Sequence, residues 1–342
     1  MRDTTTLSAT EQARVDALHA EAIVIDGSIV AELGPAHFDR YKRGGVTAIN
    51  HTVTEPYADL AAGLRQVNAC RRWIAANADK VLLAETVADI HEAKASGREA
   101  IIFGPQDTEM IGLDLSLLGT FYDLGIRILQ LTYQRQNWIG SGCGEKSDDG
   151  LSNYGRAFVK EMNQLGIVVD VSHCGQRTSV EAMEASEKPI FITHSLCHSL
   201  SPHIRAKTDD TIRALGQHGG VMGITGLSPF LYYPDKPTTQ PDIARLVEHI
   251  DHIVELAGID SVGIGLDFDE TFTPEKRAKF AGKHGSLLGE WPWEERRCKT
   301  LNTAADFPNV TAGLVKRGYS DEDIRKVLGG NWLRVMQANW KA

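Results

Sequence analysis

The sequence predicts a parallel (β/α)8 TIM barrel with a C-terminal helical extension, and three observations predict it. Eight short runs rich in β-branched and other apolar residues recur along the chain, each nearly continuous, as in strands buried on both faces. Amphipathic helical stretches lie between them, so strands and helices alternate rather than segregate. No repeat or low-complexity linker breaks the alternation, and 342 residues suit one such barrel with an extension. The barrel core is placed over residues 20–270. Residues 271–342 form a lid or loop segment and closing helices within the same domain.

Taken in order, the predicted strands are AIVIDG (22–27), VTAINH (46–51), AIIFGP (100–105), RILQLT (127–132), IVVDVS (167–172), IFITH (190–194), VMGIT (221–225) and VGIGLD (262–267). VLLAET (81–86) is a further extended piece, expected outside the barrel. Helical periodicity runs through YADLAAGLRQVNACRRWIAANA, LSNYGRAFVKEMNQLG and IARLVEHIDHIVELAG, and two of these end in Gly, as helix C-caps often do. Residues 270–300, with GEWPWEE, are expected to be irregular. In SDEDIRKVLGGNWLRVMQANW, Ser320 and Asp321 supply an N-cap, and Gly329-Gly330 before Asn331 is expected to break and restart the helix.

Apolar content of 42% and charge of 24% are those of a globular protein with a full core. A net charge of −9 argues against nucleic acid or an anionic membrane as partner. The N-terminal stretch has no apolar signal core, and no run approaches the ~20 apolar residues of a membrane helix. Five scattered cysteines without CxxC spacing fit reduced thiols in a cytoplasm better than a disulfide framework.

Barrel active sites are built at the C-terminal ends of the strands. There the sequence offers Asp26 and Ser28, His51, Gln106 and Asp107, Tyr133, His173 and Cys174, His194, and Asp267 with Asp269. Polar residues begin wherever a strand ends, which accounts for Ser28, Asp107 and His51. It accounts poorly for His173 and His194, each held inside an apolar run. Two imidazoles and a carboxylate from separate strands suit zinc or a neighbouring divalent metal.

The stretch from Gly104 to Asp269 resembles the membrane (renal) dipeptidase family, the M19 metallopeptidases. The motifs that carry the likeness are LGIRILQLTYQRQNWIGSGCGE, DGLSNYGRAFVKEMNQLGIVVDVSH, ITHS, GIGLDFD and, beyond that stretch, GGNWLRV. The resemblance implies a metal-dependent (β/α)8 barrel that hydrolyses small substrates and forms homodimers. His173 and His194 match the two histidines of the second zinc. Asp267 matches an aspartate that binds the first zinc and helps activate water, and Arg205 matches the arginine that grips the substrate carboxylate. Tyr133 falls where the family places a histidine that polarises the scissile carbonyl.

Two departures modify these expectations. The family's first strand ends in Asp-Gly-His-x-Asp, which here reads Asp26-Gly27-Ser28-Ile29-Val30. Its Gly-x-Glu-Gly turn here reads Gly104-Pro105-Gln106-Asp107, so a neutral amide replaces the bridging carboxylate. The expected site is therefore mononuclear: one Zn2+ or other divalent ion on His173 and His194, with Gln106 or a water, and Asp267 as ligand or general base. His51 and Cys174 are disfavoured as substitute ligands, and Cys143 is read as packing or loop structure. The expected activity is cleavage of an amide bond in a small carboxylate-bearing molecule. The alternative is a metal-assisted lyase, decarboxylase or isomerase. A binding protein without catalysis leaves the joint presence of the two histidines, Asp267 and Arg205 unexplained.

Overall fold

In the computed structural model, which describes residues 7–284 and 291–341, nine strands form two wholly parallel sheets. They are β1 (Ile25–Ile29), β2 (Ala48–His51), β3 (Val81–Leu83), β4 (Glu99–Phe103), β5 (Ile128–Gln130), β6 (Val168–Asp170), β7 (Phe191–Ser195), β8 (Val221–Ile224) and β9 (Val262–Ile264). One sheet has the order β1-β2-β4-β3 and the other β5-β6-β7-β8-β9. Single parallel bridges join them at both seams, Phe103 to Ile126 and Ile29 to Phe268. Backbone bonds reinforce the seams: Arg127 N–H donates to Phe103 O (3.2 Å) and Asp267 N–H to Ser28 O (2.9 Å). Eight strands thus follow one another around a barrel, and β3 lies outside the ring against the first half of β4.

β1 runs to Ile29 rather than stopping at Gly27, so Ser28 lies within the strand. A small polar residue at the end of an apolar run reads as a loop start, but a barrel interior accepts it when a neighbour bonds it. Most of the other ladders are shorter than the apolar runs that announce them, because those runs continue into the buried strand ends.

The barrel interior explains GGNWLRV. Ile25, Ala48, Ile102, Ile128, Val168, Phe191 and Val221 converge from successive strands on Trp332, which enters the N-terminal end of the barrel with Val335, Met336 and Trp340. Room for the indole comes from missing side chains: a Cβ at Gly263 would lie 2.5 Å from Trp332 Nε1, and one at Gly27 2.6 Å from the ring. The helix does not break at Gly329-Gly330. A π turn over Lys326–Gly330 carries it into Asn331–Asn339, with Gly330 at φ −57°, ψ −40°. Gly329 is needed for close approach, since a Cβ there would lie 2.1 Å from Ile23 O. Asn331 Nδ2 fixes this plug by donating to Ile259 O (2.7 Å) and Val262 O (2.8 Å).

Residues 274–284 are helical rather than irregular. This helix overhangs the C-terminal mouth of the barrel, and Phe272, Arg277 and Phe280 line the cavity beneath it. Lys276 Nζ bonds Glu32 (2.8 Å) and Lys283 Nζ bonds Glu55 (2.8 Å), which ties the helix to the loops after β1 and β2. The Gly289-Glu290 part of GEWPWEE lies outside the described residues. None of the described helices is long and apolar enough to cross a membrane.

Candidate active site

The strand ends open into a cavity of about 330 Å³, within the range of small-molecule sites. His173, just beyond β6, faces it, and His194 on β7 is fully buried beside it. Their Nε2 atoms are 3.0 Å apart. Burial, and then the Arg205 charge, holds both imidazoles well below their ordinary pKa, so both are neutral.

The polar residues within these runs set the tautomer. The buried Asp170 carboxylate accepts from Ser172 N (3.0 Å) and Oγ (2.6 Å), and from Thr193 N (3.0 Å) and Oγ1 (2.6 Å). Burial pushes its pKa up, while those four donated bonds favour the ionised form. With its single proton given to Asp170, Thr193 Oγ1 must accept from His194 Nδ1 (2.8 Å). His194 Nε2 is then left with its lone pair. His173 Nδ1 is buried without a hydrogen-bond partner.

These features fit one divalent ion. Two imidazole nitrogens at 3.0 Å are spaced as neighbouring ligands with ~2.0–2.1 Å bonds to one centre, and one of them is fixed as an acceptor. The other side of the mouth does not fit a second ion. Gln106 Nε2 donates to Ser28 Oγ (3.3 Å) and Thr52 Oγ1 (2.9 Å), which makes a neutral, mutually bonded cluster. Among the described residues, no three His, Cys, Asp or Glu side chains gather closely enough to enclose an ion.

Asp267 follows β9 in a left-handed conformation (φ 57°), uncommon for a non-glycine residue and concentrated at functional sites. It lines the cavity, and burial pushes its carboxyl up to about 7, against the pull of Arg205 and Arg277. Asp269, two residues on, is paired with Arg296 (3.4 Å) and Arg297 (3.1 Å). Tyr133 stacks on His173 with ring centroids 4.3 Å apart. Burial, then the Asp267 charge, raises its pKa, so its hydroxyl stays protonated and able to donate.

Arg205 is buried at the cavity wall, and its two terminal nitrogens donate to the Ser172 and His194 carbonyls. The arginine thus clamps the two histidine segments together. His51 lines the cavity with its pKa lowered to about 3 by burial. Cys174 lies in the core, where Thr132 Oγ1 donates to its sulfur (3.2 Å) and burial raises the thiol to about 11. Cys143 lines a separate, more open cleft with His198 and His203. Asp26 accepts from Leu266 N (2.9 Å) across the β1–β9 seam, a structural position. Asp107 accepts from Glu109 N (3.2 Å) and Tyr57 N.

Strand-end reasoning missed two groups. Asp170, Ser172 and Thr193 carry a visible signal, since each is a polar residue inside an apolar run within three positions of a histidine. Phe272, Arg277 and Phe280 on the overhanging segment carry none, because their approach to the mouth depends on the path of a long excursion after β9.

A parallel barrel with paired histidines and a carboxylate at its C-terminal mouth defines the metallohydrolase class. Within that class, the model of the membrane dipeptidase family, peptidase family M19, matches residues 12–280 and 284–341, and the chain belongs to that family. It is 30% identical over 290 residues to the dipeptidase verJ of Clonostachys rogersoniana, a match that covers 84% of this chain and 67% of that protein. The dipeptidase tcpJ of Claviceps purpurea is 28% identical over 82% of this chain, which spans 60% of that relative's length. An amidohydrolase from Pseudomonas aeruginosa, of known structure, is 34% identical with a TM-score of 0.89, covering 95% of this chain and 99% of that one.

Proposed function

We propose that the protein hydrolyses an amide bond in a small, carboxylate-bearing substrate at a site that holds one divalent ion, zinc for preference, on His173 and His194. The observation that carries this reading is the convergence of the two Nε2 atoms, with the His194 tautomer set by Thr193 and Asp170. The ion's contribution is Lewis acidity toward water and the carbonyl. Asp267 accepts the proton of the attacking water and returns it to the amine nitrogen as the C–N bond breaks, a task suited to a carboxylate raised toward neutrality. Tyr133, stacked on His173, donates its hydroxyl proton in a hydrogen bond to the carbonyl oxygen as negative charge develops there. Arg205 fixes both histidine segments and adds positive potential to the cavity wall. The neutral Gln106–Ser28–Thr52 cluster supports one ion rather than two.

The test is metal analysis joined to a panel of dipeptides and N-acyl amino acids in ¹⁸O water. One equivalent of metal per chain is expected, with label entering the product and with loss of both metal and turnover in His173→Ala and His194→Ala. Two equivalents overturn the mononuclear site. Turnover of a carboxylated metabolite without label overturns hydrolysis in favour of a lyase or isomerase.

A further inference from the structure

The charged side chains of the cavity are, with two exceptions, already engaged. Glu32 is bonded by Lys276, Glu55 by Lys283, and Asp269 by Arg296 and Arg297. Arg205 donates from both terminal nitrogens to the Ser172 and His194 carbonyls, which leaves its Nε as the one guanidinium nitrogen without a partner among the described residues and its fork unable to turn toward a ligand. Asp267 and Arg277 remain without an ion pair among the described residues, at a distance over which their charges still interact. Asp267 has the work of a base. Arg277 has no such work, and its guanidinium carbon lies 5.8 Å from the centroid of the Phe280 ring.

Its position is that of a recognition group. It is half-buried on the inner face of the helix Pro274–His284, and Phe272 and Phe280 flank it over the cavity. A ligand filling this space removes water from the guanidinium, and an uncompensated cation under an aromatic roof would oppose binding. A carboxylate turns the same desolvation into a charge-assisted, two-pronged contact. Leu227, Phe230 and Val53 make part of the remaining wall apolar.

We infer that Arg277 is the residue that captures the substrate's carboxylate, and that the substrate is a small acid with a compact apolar side group. The inference rests on the reading of this cavity as the substrate site, but not on the reaction performed there. Its test is therefore equilibrium binding of a ligand with no bond to cleave. The probe is 3-phenylpropionate, with 3-phenylpropan-1-ol as its uncharged counterpart, titrated calorimetrically into the full-length protein. Arg277→Gln is expected to weaken 3-phenylpropionate about tenfold or more and to leave the alcohol unchanged, and Arg277→Lys to retain part of the affinity. Equal binding of the acid to wild type and Arg277→Gln, or no binding of the acid to wild type, overturns the assignment. Absence of hydrolysis on every peptide would overturn the proposed reaction and leave this result standing.

Discussion

Thr193 has one hydroxyl proton, and Asp170 takes it, so a residue that touches no substrate decides which nitrogen of His194 can bind an ion. Thr193→Val keeps the shape and removes the hydroxyl. It is expected to weaken metal binding about 10–100-fold, whereas Thr193→Ser keeps near wild-type affinity. Competition against a chromophoric chelator measures both, and an unchanged affinity in the valine variant would show that Thr193 does not set the tautomer. Lys207 is the other buried polar residue with a measurable consequence. Its ammonium donates to Val171 O, Cys174 O and Ser179 Oγ, each at 2.8 Å. Burial lowers its pKa from 10.5 to about 8, so between those values the unfolded chain binds more protons and stability rises with pH. The stability difference between wild type and Lys207→Met should therefore grow from pH 8 to pH 10, by on the order of 2 kcal/mol. Urea unfolding at the two pH values checks it, and a constant difference would mean that Lys207 titrates normally. The histidines were legible because imidazoles inside apolar runs are rare. Thr193 and Lys207 were less so, since a hydroxyl or an amine reads the same at a surface as in a buried network.

At the level of elements, the eight apolar runs foretold the barrel strands and VLLAET foretold a strand outside them, because burial on both faces leaves a strong compositional mark. Strand ends were less legible: Ser28 reads as a loop, yet β1 continues past it. The π turn at Lys326–Gly330 was hidden for a different reason. Paired glycines usually end a helix, and here they instead let it pass against Ile23 O. The purpose of that passage is to carry Trp332 into the barrel floor. Trp332→Ala should cost about 3–5 kcal/mol, since small neighbours such as Gly27 and Gly263 cannot fill the space. Gly263→Ala should be destabilising as well, because its methyl group would meet the indole nitrogen. Urea midpoints at constant slope report both, and a near-neutral Trp332→Ala would mean that the floor does not depend on this plug.

The whole molecule divides its mouth unevenly. The five-stranded sheet and the loops that follow its strands supply His173, His194, Arg205 and Asp267. The four-stranded sheet supplies the neutral Ser28, His51, Thr52 and Gln106 near its strand ends, and the two carboxylates that its loops add to the cavity, Glu32 and Glu55, are each paired with a lysine of the overhanging helix. Ion binding should therefore act on folding through one side of the barrel. A ligand that binds only the native state stabilises it by about 2.7 kcal/mol at a free concentration one hundred times its Kd. For a chain of this size that is a rise in melting temperature of several degrees. Adding Zn2+ to protein dialysed against a chelator should produce such a rise, saturating at one equivalent. His173→Ala and His194→Ala should each abolish it. Ser28→Ala, on the neutral side, should leave it intact, because the hydroxyl it removes is bonded to the neutral Gln106 amide, while the Ser28 carbonyl at the seam is kept. Differential scanning calorimetry with metal analysis of the same samples separates the outcomes. A rise that persists in His194→Ala would place the ion away from the paired histidines. A second equivalent lost in Ser28→Ala would mean that the neutral cluster binds metal after all.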